Sequence, residues 1–226
     1  MQTDAGSGLA EDFLLAVYLD GQGRVPHYRT GLDFGLSAAM LMELALGGFI
    51  HTADGYIVAD HGTDPRDPAL REVLTRIRSS RTPRRTSEWV KTLSVNAHKQ
   101  LSAGLITHGV LARAPRRLPL PTRPARRYNL LQPTRRDAAL RSLNDPSDHS
   151  DHSTAPAAPA APAAPAAPAA PAAPAALAAL ASACEATPGG QEHSEPEARL
   201  QSLSPTCRQI LNAVTDCIQP LKYTWD

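Results

Sequence analysis

Residues 35–50 (GLSAAMLMELALGGFI) constrain the fold of this chain more than any other segment. Their apolar side chains recur at three- and four-residue spacing, which predicts a helix, and Glu43 is nearly the only charge on it. We expect a helix with so little polar surface to be buried. The dipeptide Asp54-Gly55 follows at close range and predicts the turn of a β-hairpin.

Helical signals continue on both sides of this run. Residues 9–19 (LAEDFLLAVYL) predict an earlier helix. Asp67 as N-cap, with Pro68 at the first helical position, predicts a helix that ends near residue 79. Residues 89–108 are predicted to form two short helices.

A strict repeat occupies the second half of the chain. From residue 155 to residue 174 each proline is separated from the next by two alanines, a spacing that opposes an α-helix and favours a polyproline II rod. An inert spacer is the plain interpretation, and a recognition motif is the alternative, although the repeat lacks the basic residue such motifs usually carry. Beyond it, residues 176–184 predict a helix, and an apolar pattern from Leu200 to Ile218 predicts a late helix pair.

The predicted fold class is therefore mainly α. We expect a compact α-helical domain with small β-hairpins, interrupted by a disordered or polyproline II Ala/Pro segment. The 226 residues suffice for one domain of about 150 residues plus a long irregular segment. The predicted boundaries are 7–143 for the domain, 144–175 for a polar and Ala/Pro-rich linker or insert, and 176–226 for a C-terminal helical segment that could be the displaced end of the same domain.

The formal net charge of +1 hides a basic segment. Residues 113–141 hold nine arginines and a single acid, Asp137. Such a segment is typical of proteins that bind phosphate groups, either lipid headgroups or nucleic acid. The alternative is a solvated loop without a partner.

Other features narrow the class of protein. Three cysteines without metal-type spacing indicate a reducing compartment, and the chain does not open with a signal-peptide pattern. Residues 35–50 are shorter than the roughly 20 residues that span a bilayer. We therefore expect a cytoplasmic protein whose membrane contact is peripheral.

The sequence offers little for catalysis. It has neither a GxSxG motif nor a Walker glycine loop, and its cysteines and histidines do not suggest a nucleophile with its base. The run DHSDH at residues 148–152 could hold a metal loosely, but its polar surroundings favour an unstructured tract. We expect no enzyme, no cofactor and no metal site.

The words LLAVYLD, MLMELALGGFI, GTDPRDPALREVL, EWVKTL and LITHGVL, in this order, resemble the Golgi phosphoprotein 3 family, including its bacterial members. The resemblance covers about residues 9–143 and, weakly, 176–218. It implies a mostly α-helical domain that binds membranes through phosphatidylinositol 4-phosphate without catalytic activity. In relatives a hairpin used for self-association falls near the Ala/Pro segment, which leaves self-association uncertain here. The resemblance thus predicts a peripheral membrane adaptor; the sequence does not identify its protein cargo.

The family's lipid site is only partly kept. The resemblance places Tyr28 and Ser37 where relatives use an aromatic residue and an arginine, and it places Val95 and His98 where they use two more arginines. His98 could become cationic in mildly acidic conditions or beside a phosphate. The plain alternatives are a loop aromatic for Tyr28 and an exposed helix residue for His98.

Nearby cations offer a looser affinity for anionic or phosphoinositide headgroups. Arg24 and Arg29 flank Tyr28 in sequence, and Lys91 and Lys99 lie near His98. Binding through such residues would be salt-sensitive and unselective. The predicted headgroup-binding residues are Arg24, Tyr28, Arg29 and His98, while Trp89 is predicted to be a core residue.

Residues 99–131 also support a different hypothesis. They predict a helix, a stop at Gly109, a short strand, an arginine- and proline-rich turn, and a returning strand. This is the order of a winged helix, whose wing arginines track the phosphates of nucleic acid. The prolines would interrupt strand pairing. Nucleic-acid binding is therefore the alternative function.

Overall fold

The computed structural model describes residues 8–19, 30–114, 128–144, 172–184, 201 and 203–222. Its helices are α1 (Leu9–Phe13), α2 (Thr30–Leu46), α3 (Pro68–Arg78), α4 (Thr86–Thr107), α5 (Pro133–Asn144), α6 (Ala172–Ala183) and α7 (Pro205–Lys222). Its strands are β1 (Ile50–Ala53), β2 (Tyr56–Ala59), β3 (Leu111–Arg113) and β4 (Tyr128–Leu130), paired as two antiparallel hairpins. The predicted mainly α class with small hairpins is confirmed.

Helix α2 lies at the centre of the fold. It packs against α1, α4, α6 and α7, and Leu36, Met40 and Leu44 on it are fully buried. Gly35 allows this crowding, because a Cβ atom there would lie 2.5 Å from the Phe13 ring and 2.7 Å from the Cys184 sulfur. The prediction of a buried helix is confirmed.

The predicted helix over residues 9–19 is α-helical in its first half and π-helical in its second half. Helix α1 continues directly into one π-helical stretch, Leu14–Tyr18, where the Leu19 N–H donates to the Leu14 carbonyl over 3.0 Å. All five residues of this stretch are buried. The wider turn therefore lies inside the core.

The first hairpin, β1–β2, turns at Asp54 and Gly55, whose φ angles are +51° and +82°. Two positive φ angles are what a tight type I′ turn requires, which confirms the predicted turn. The hairpin joins two helices: the Gly55 carbonyl accepts from the Thr86 N–H and hydroxyl, both at 3.0 Å, and the Thr52 N–H donates to the Thr206 hydroxyl over 3.3 Å.

Helices α3 and α4 test two predictions. The Asp67 carboxylate accepts from the N–H groups of Ala69 and Leu70 at 2.7 and 2.9 Å, which confirms the predicted N-cap. Helix α4 is a single helix of 22 residues, and the prediction of two short helices is wrong. Proline is absent from this stretch, and its buried positions continue at helical spacing through both halves, including Leu93, Ala97, Leu101 and Leu105.

The last two described helices belong to the same hydrophobic core as α1, α2 and α4. Helix α6 begins at Ala172, earlier than predicted, because Pro174 falls in its first turn, where a missing N–H costs little. Of the predicted late pair, helix α7 is described in full; before it, Gln201 is also helical and the buried Leu203 lies in a bend between the two, while Leu200 lies outside the described residues. Most of the Ala/Pro repeat, up to residue 171, also lies outside the described part of the chain.

Candidate docking surface on helix α4

Three of the four predicted headgroup-binding residues, Arg24, Tyr28 and Arg29, lie in the segment 20–29, outside the described residues. Their roles stay predictions. The fourth, His98, lies on α4 and is described in full. Among the described residues, the candidate docking surface is therefore centred on α4.

His98 is buried, with 4 % of its surface exposed. Its ring stacks on Tyr18, with 4.8 Å between ring centroids, and Tyr128 meets it edge-on at 5.7 Å. This corrects the expectation that His98 is an exposed helix residue, and the predicted headgroup-binding role of His98 stays a prediction, which its burial does not favour. The reason is tertiary, because a distant hairpin covers this flank of α4.

That hairpin is β3–β4, which pairs Arg113 with Tyr128 and confirms the strand order predicted for this stretch. The Tyr128 hydroxyl donates to Ser102 Oγ over 3.4 Å, and Ser102 Oγ donates to the His98 carbonyl. This chain of hydrogen bonds fastens the hairpin to the second half of α4. Residues 115–127, which carry five arginines between the two strands, lie outside the described residues.

Ser37 on α2, where the resemblance predicts that relatives have an arginine, is fully buried. Its hydroxyl lies 2.8 Å from the Phe34 carbonyl and 2.9 Å from the Val90 carbonyl of α4. A hydroxyl has one proton, which these two acceptors share. The position therefore serves the contact between α2 and α4, and a long cationic side chain would not fit there.

Val95 has the opposite environment. It is 80 % exposed, the most exposed large apolar side chain among the described residues. Lys91 and Lys99, both exposed, lie one helical turn before and after it. We call these three residues the α4 stripe. Val95 and Ser102 are seven residues apart, about 20° around the helix axis, which puts the stripe on the same side of α4 as the β3–β4 hairpin.

Part of the arginine-rich segment serves the fold. Arg135 on α5 forms an ion pair with Glu11, with 2.9 Å between Nη2 and Oε2. Arg136 donates from Nε to the Leu15 carbonyl over 3.1 Å. The expectation that this whole segment is open to phosphate groups is corrected for these two residues, whereas Arg113 and Arg141 are exposed.

Glu43 has a structural role that the sequence did not reveal. It accepts a 3.0 Å hydrogen bond from the Ala10 N–H and thereby caps the start of α1, which has no capping side chain of its own. Burial raises the pKa of this carboxyl to about 7, and nearby Asp67, Glu11 and Asp12 add to the rise. A helix start after Gly8, without a capping residue, was the signal that could have suggested a distant cap.

The described residues show neither a metal site nor a membrane-spanning helix. They contain no group of three or more histidines, cysteines or acids that could hold a metal ion, and the run 148–152 lies outside them. Among the same residues, no helix is both long and apolar enough to cross a membrane.

A comparison with curated proteins found no match. The family model described as Golgi phosphoprotein 3 (GPP34) matches residues 9–220. The match begins at α1, crosses the Ala/Pro repeat and reaches into α7, and it therefore extends well beyond the words that first suggested this family. The chain belongs to the Golgi phosphoprotein 3 (GPP34) family.

Proposed function

We propose that this protein is a peripheral membrane adaptor that docks on anionic or phosphoinositide-bearing membranes and acts by binding, without catalysis. Family membership supports the adaptor role, because the resemblance implies membrane binding by its members. The observation that carries the proposal is the α4 stripe, in which a largely exposed valine lies between two exposed lysines.

The α4 stripe has the chemistry of a membrane-surface contact. Successive members are four residues apart, about 6 Å along the helix. Lysine side chains can reach headgroup phosphates while their methylene stems stay near the apolar boundary. Val95 can then enter the region between headgroups and acyl chains, where its 80 % exposure would be lost.

The energy of this contact is modest. Each lysine contributes about 1 kcal/mol near an anionic surface. Full burial of the valine side chain contributes about 1.5 kcal/mol. The sum, about 3.5 kcal/mol, corresponds to a dissociation constant in the millimolar range. Stable docking therefore requires further cations.

The arginines of residues 115–127 are one source of such cations in the proposal. They precede Tyr128, whose ring packs against His98 on the same helix as the stripe. Arg24, Tyr28 and Arg29 are a second source in the proposal. Several weak contacts on one molecule act together, because each additional contact is made at a high effective concentration.

Selectivity for one headgroup is not part of the proposal. Specific capture of a phosphomonoester favours the rigid fork of an arginine held in place. Of the three positions that align with family arginines, Ser37 and His98 are buried and Val95 is apolar. We therefore expect docking to depend on charge and to weaken with salt.

Co-sedimentation with vesicles tests the proposal. Neutral vesicles, anionic vesicles, and neutral vesicles doped with phosphatidylinositol 4-phosphate are each used at low and physiological salt. We expect the protein to pellet with both charged sets and to be released by salt. The double variant Lys91→Glu and Lys99→Glu should abolish pelleting, and Val95→Ser should weaken it about tenfold.

The matched control reverses two other exposed cations, Arg66→Glu and Arg208→Glu, and gives the same net charge. Equal loss in both double variants would refute a role for the stripe and leave only bulk charge. If wild type pellets with none of the vesicles but shifts duplex DNA in a gel, the nucleic-acid alternative replaces the membrane proposal.

A further inference from the structure

Arg84 and Arg85, directly before α4, are exposed cations that the fold does not neutralise. Neither has a carboxylate within ion-pair distance among the described residues. By contrast, Arg76 and Arg78 of α3 form ion pairs at 2.9 and 2.6 Å. Arg84 and Arg85 therefore keep their charge available for a partner.

Aromatic rings support both guanidinium groups. The Arg84 Cζ atom lies 5.4 Å from the centroid of the Trp89 ring, and the Arg85 Cζ atom lies 5.7 Å from that of Tyr56. A guanidinium over a ring uses its flat face for the contact. Its N–H edge stays open for two parallel hydrogen bonds to a planar anion.

The backbone that carries the pair is also fixed. The Arg84 carbonyl accepts from the Ile57 N–H of β2 over 3.3 Å, and Arg85 forms a β-bridge with Tyr56. The Arg85 carbonyl accepts from the N–H groups of Glu88 and Trp89 in the first turn of α4. Two arginines held at both ends lose less conformational freedom when they bind a ligand.

A cavity of about 190 Å³ with several polar side chains in its walls adjoins Arg85. It lies between the β1–β2 turn, the start of α4 and α7, and its walls include Ser87, Gln209, Asn212 and Asp216. The hydroxyl and amide groups can hydrogen-bond to an uncharged polar side chain. Asp216 would repel a second carboxylate inside the cavity.

The pair does not face the same way as the α4 stripe. Arg84 lies over Trp89, and Trp89 and Val95, the middle residue of the stripe, are six residues apart, about 120° around the helix axis. When the stripe faces a membrane, the Trp89 side of α4 is therefore turned about 120° away from the direction of that membrane. The arginine pair is thus positioned for a partner in solution.

We propose that Arg84 and Arg85 form a binding site for a short acidic peptide segment of a partner protein. The N–H edges take one or two carboxylates, and the next, uncharged polar side chain enters the cavity beside Arg85. Glu88 and Asp216 lie close to the site and repel negative charge. They repel an extended polyphosphate, in which every unit is charged, more strongly than a short peptide with one or two carboxylates. The acidic peptide is therefore favoured over nucleic acid.

Peptide selection tests the site. A library of random displayed peptides is selected on the full-length protein, and the dissociation constants of enriched peptides are measured by fluorescence anisotropy. We expect the enriched peptides to contain Asp or Glu, and their Asn or Gln versions to bind at least about tenfold more weakly. The double variant Arg84→Lys and Arg85→Lys should lose a similar factor, because lysine keeps the charge but lacks the planar fork.

Arg81→Lys is the matched control, since Arg81 is an exposed arginine of the same loop, and no aromatic ring of the described residues lies beneath it. Circular dichroism checks that the variants fold. The proposal is overturned if no peptide is enriched, if enriched peptides lack acids, or if the double lysine variant binds them as wild type does. It is also overturned if that variant loses binding to duplex DNA or charged vesicles instead. The Lys91→Glu, Lys99→Glu variant should keep its peptide affinity, which separates this site from membrane docking.

Discussion

Helices α2 and α4 cross at the Ser37–Val90 contact, yet they differ in what their polar residues do. Helix α2 is enclosed by five other helices of the described residues, and its polar groups at Ser37 and Glu43 bond to carbonyl and N–H groups of the fold. Helix α4 is enclosed on one side, which leaves the stripe around Val95 open to solvent. The exposed positions on α4 can therefore accept substitutions without loss of packing, whereas the buried positions on α2 cannot.

The two helices matter together because the resemblance places family arginines on both. On α2 the aligned position is a buried serine, and on α4 it is an exposed valine. A cation at the first position would have to leave water without a partner, which costs several kcal/mol. A cation at the second would stay solvated. Of these two positions, only the one on α4 can hold an arginine in the present fold.

The largest expected effect comes from placing arginine at these two positions. Ser37→Arg should destabilise the protein by about 4 kcal/mol or more, because it puts an unpaired charge and excess volume between α2 and α4. Val95→Arg should change the free energy of unfolding by less than about 0.5 kcal/mol. It should also strengthen pelleting with anionic vesicles. Urea denaturation and co-sedimentation measure the two effects.

Ser37→Ala is the control for the loss of the hydroxyl alone, and it should cost about 1 kcal/mol. A stable, well-folded Ser37→Arg protein would contradict the contrast between the helices. Weaker vesicle binding by Val95→Arg would show that the apolar character of Val95, rather than charge, dominates docking.

The second prediction concerns Glu43, the buried carboxyl of α2. Its pKa is raised from 4.5 to about 7, chiefly by burial, and the folded state therefore binds the proton more tightly than the unfolded state does. Wild-type stability should fall as pH rises from about 4.5 to 7, by an amount on the order of 2 to 3 kcal/mol, and then level off. Glu43→Gln should lack this fall, because glutamine stays neutral and can still accept from Ala10.

The measurement is the difference in unfolding free energy between wild type and Glu43→Gln at pH 5 and pH 8. We expect the variant to gain on wild type at the higher pH. Glu72→Gln, which alters an exposed ion pair of α3, should show almost no such change. Parallel pH profiles for wild type and Glu43→Gln would mean that the carboxyl stays ionised in the fold.

Local sequence signals were enough to predict those elements that form through interactions between residues close in sequence. Asp67 before Pro68 predicted the cap of α3, and Asp54-Gly55 predicted the first hairpin, because the bonds and φ angles involved lie within a few residues. The buried character of α2 followed from its composition. The family words predicted the membership that the match over residues 9–220 shows.

The candidate site was harder to predict, because burial on α4 depends on contacts distant in sequence. His98 and Val95 are three residues apart, but the β3–β4 hairpin covers the first and leaves the second open. The role of Glu43 depends on Ala10, 33 residues away. The rings beneath Arg84 and Arg85 belong to different elements, and a sequence pattern shows only a basic loop.

The smallest expected effect tests a buried polar atom on α4 itself. Trp89 is 3 % exposed, and its indole Nε1–H lacks a hydrogen-bond partner in the described part of the chain. An unpaired buried donor costs about 1 to 3 kcal/mol, which offsets much of the packing that the large ring provides. We therefore expect Trp89→Phe to change the free energy of unfolding by less than about 1 kcal/mol, because it removes the donor together with part of the ring.

Leu93→Ala, one turn further along α4 and equally buried, provides the comparison and should cost about 3 kcal/mol. Urea denaturation of both variants in parallel measures the difference. A cost for Trp89→Phe as large as that for Leu93→Ala would mean that the indole N–H is bonded in solution. A near-neutral Trp89→Phe that nonetheless weakens acidic-peptide binding would assign the tryptophan to the arginine site, because phenylalanine is the poorer surface for the Arg84 guanidinium.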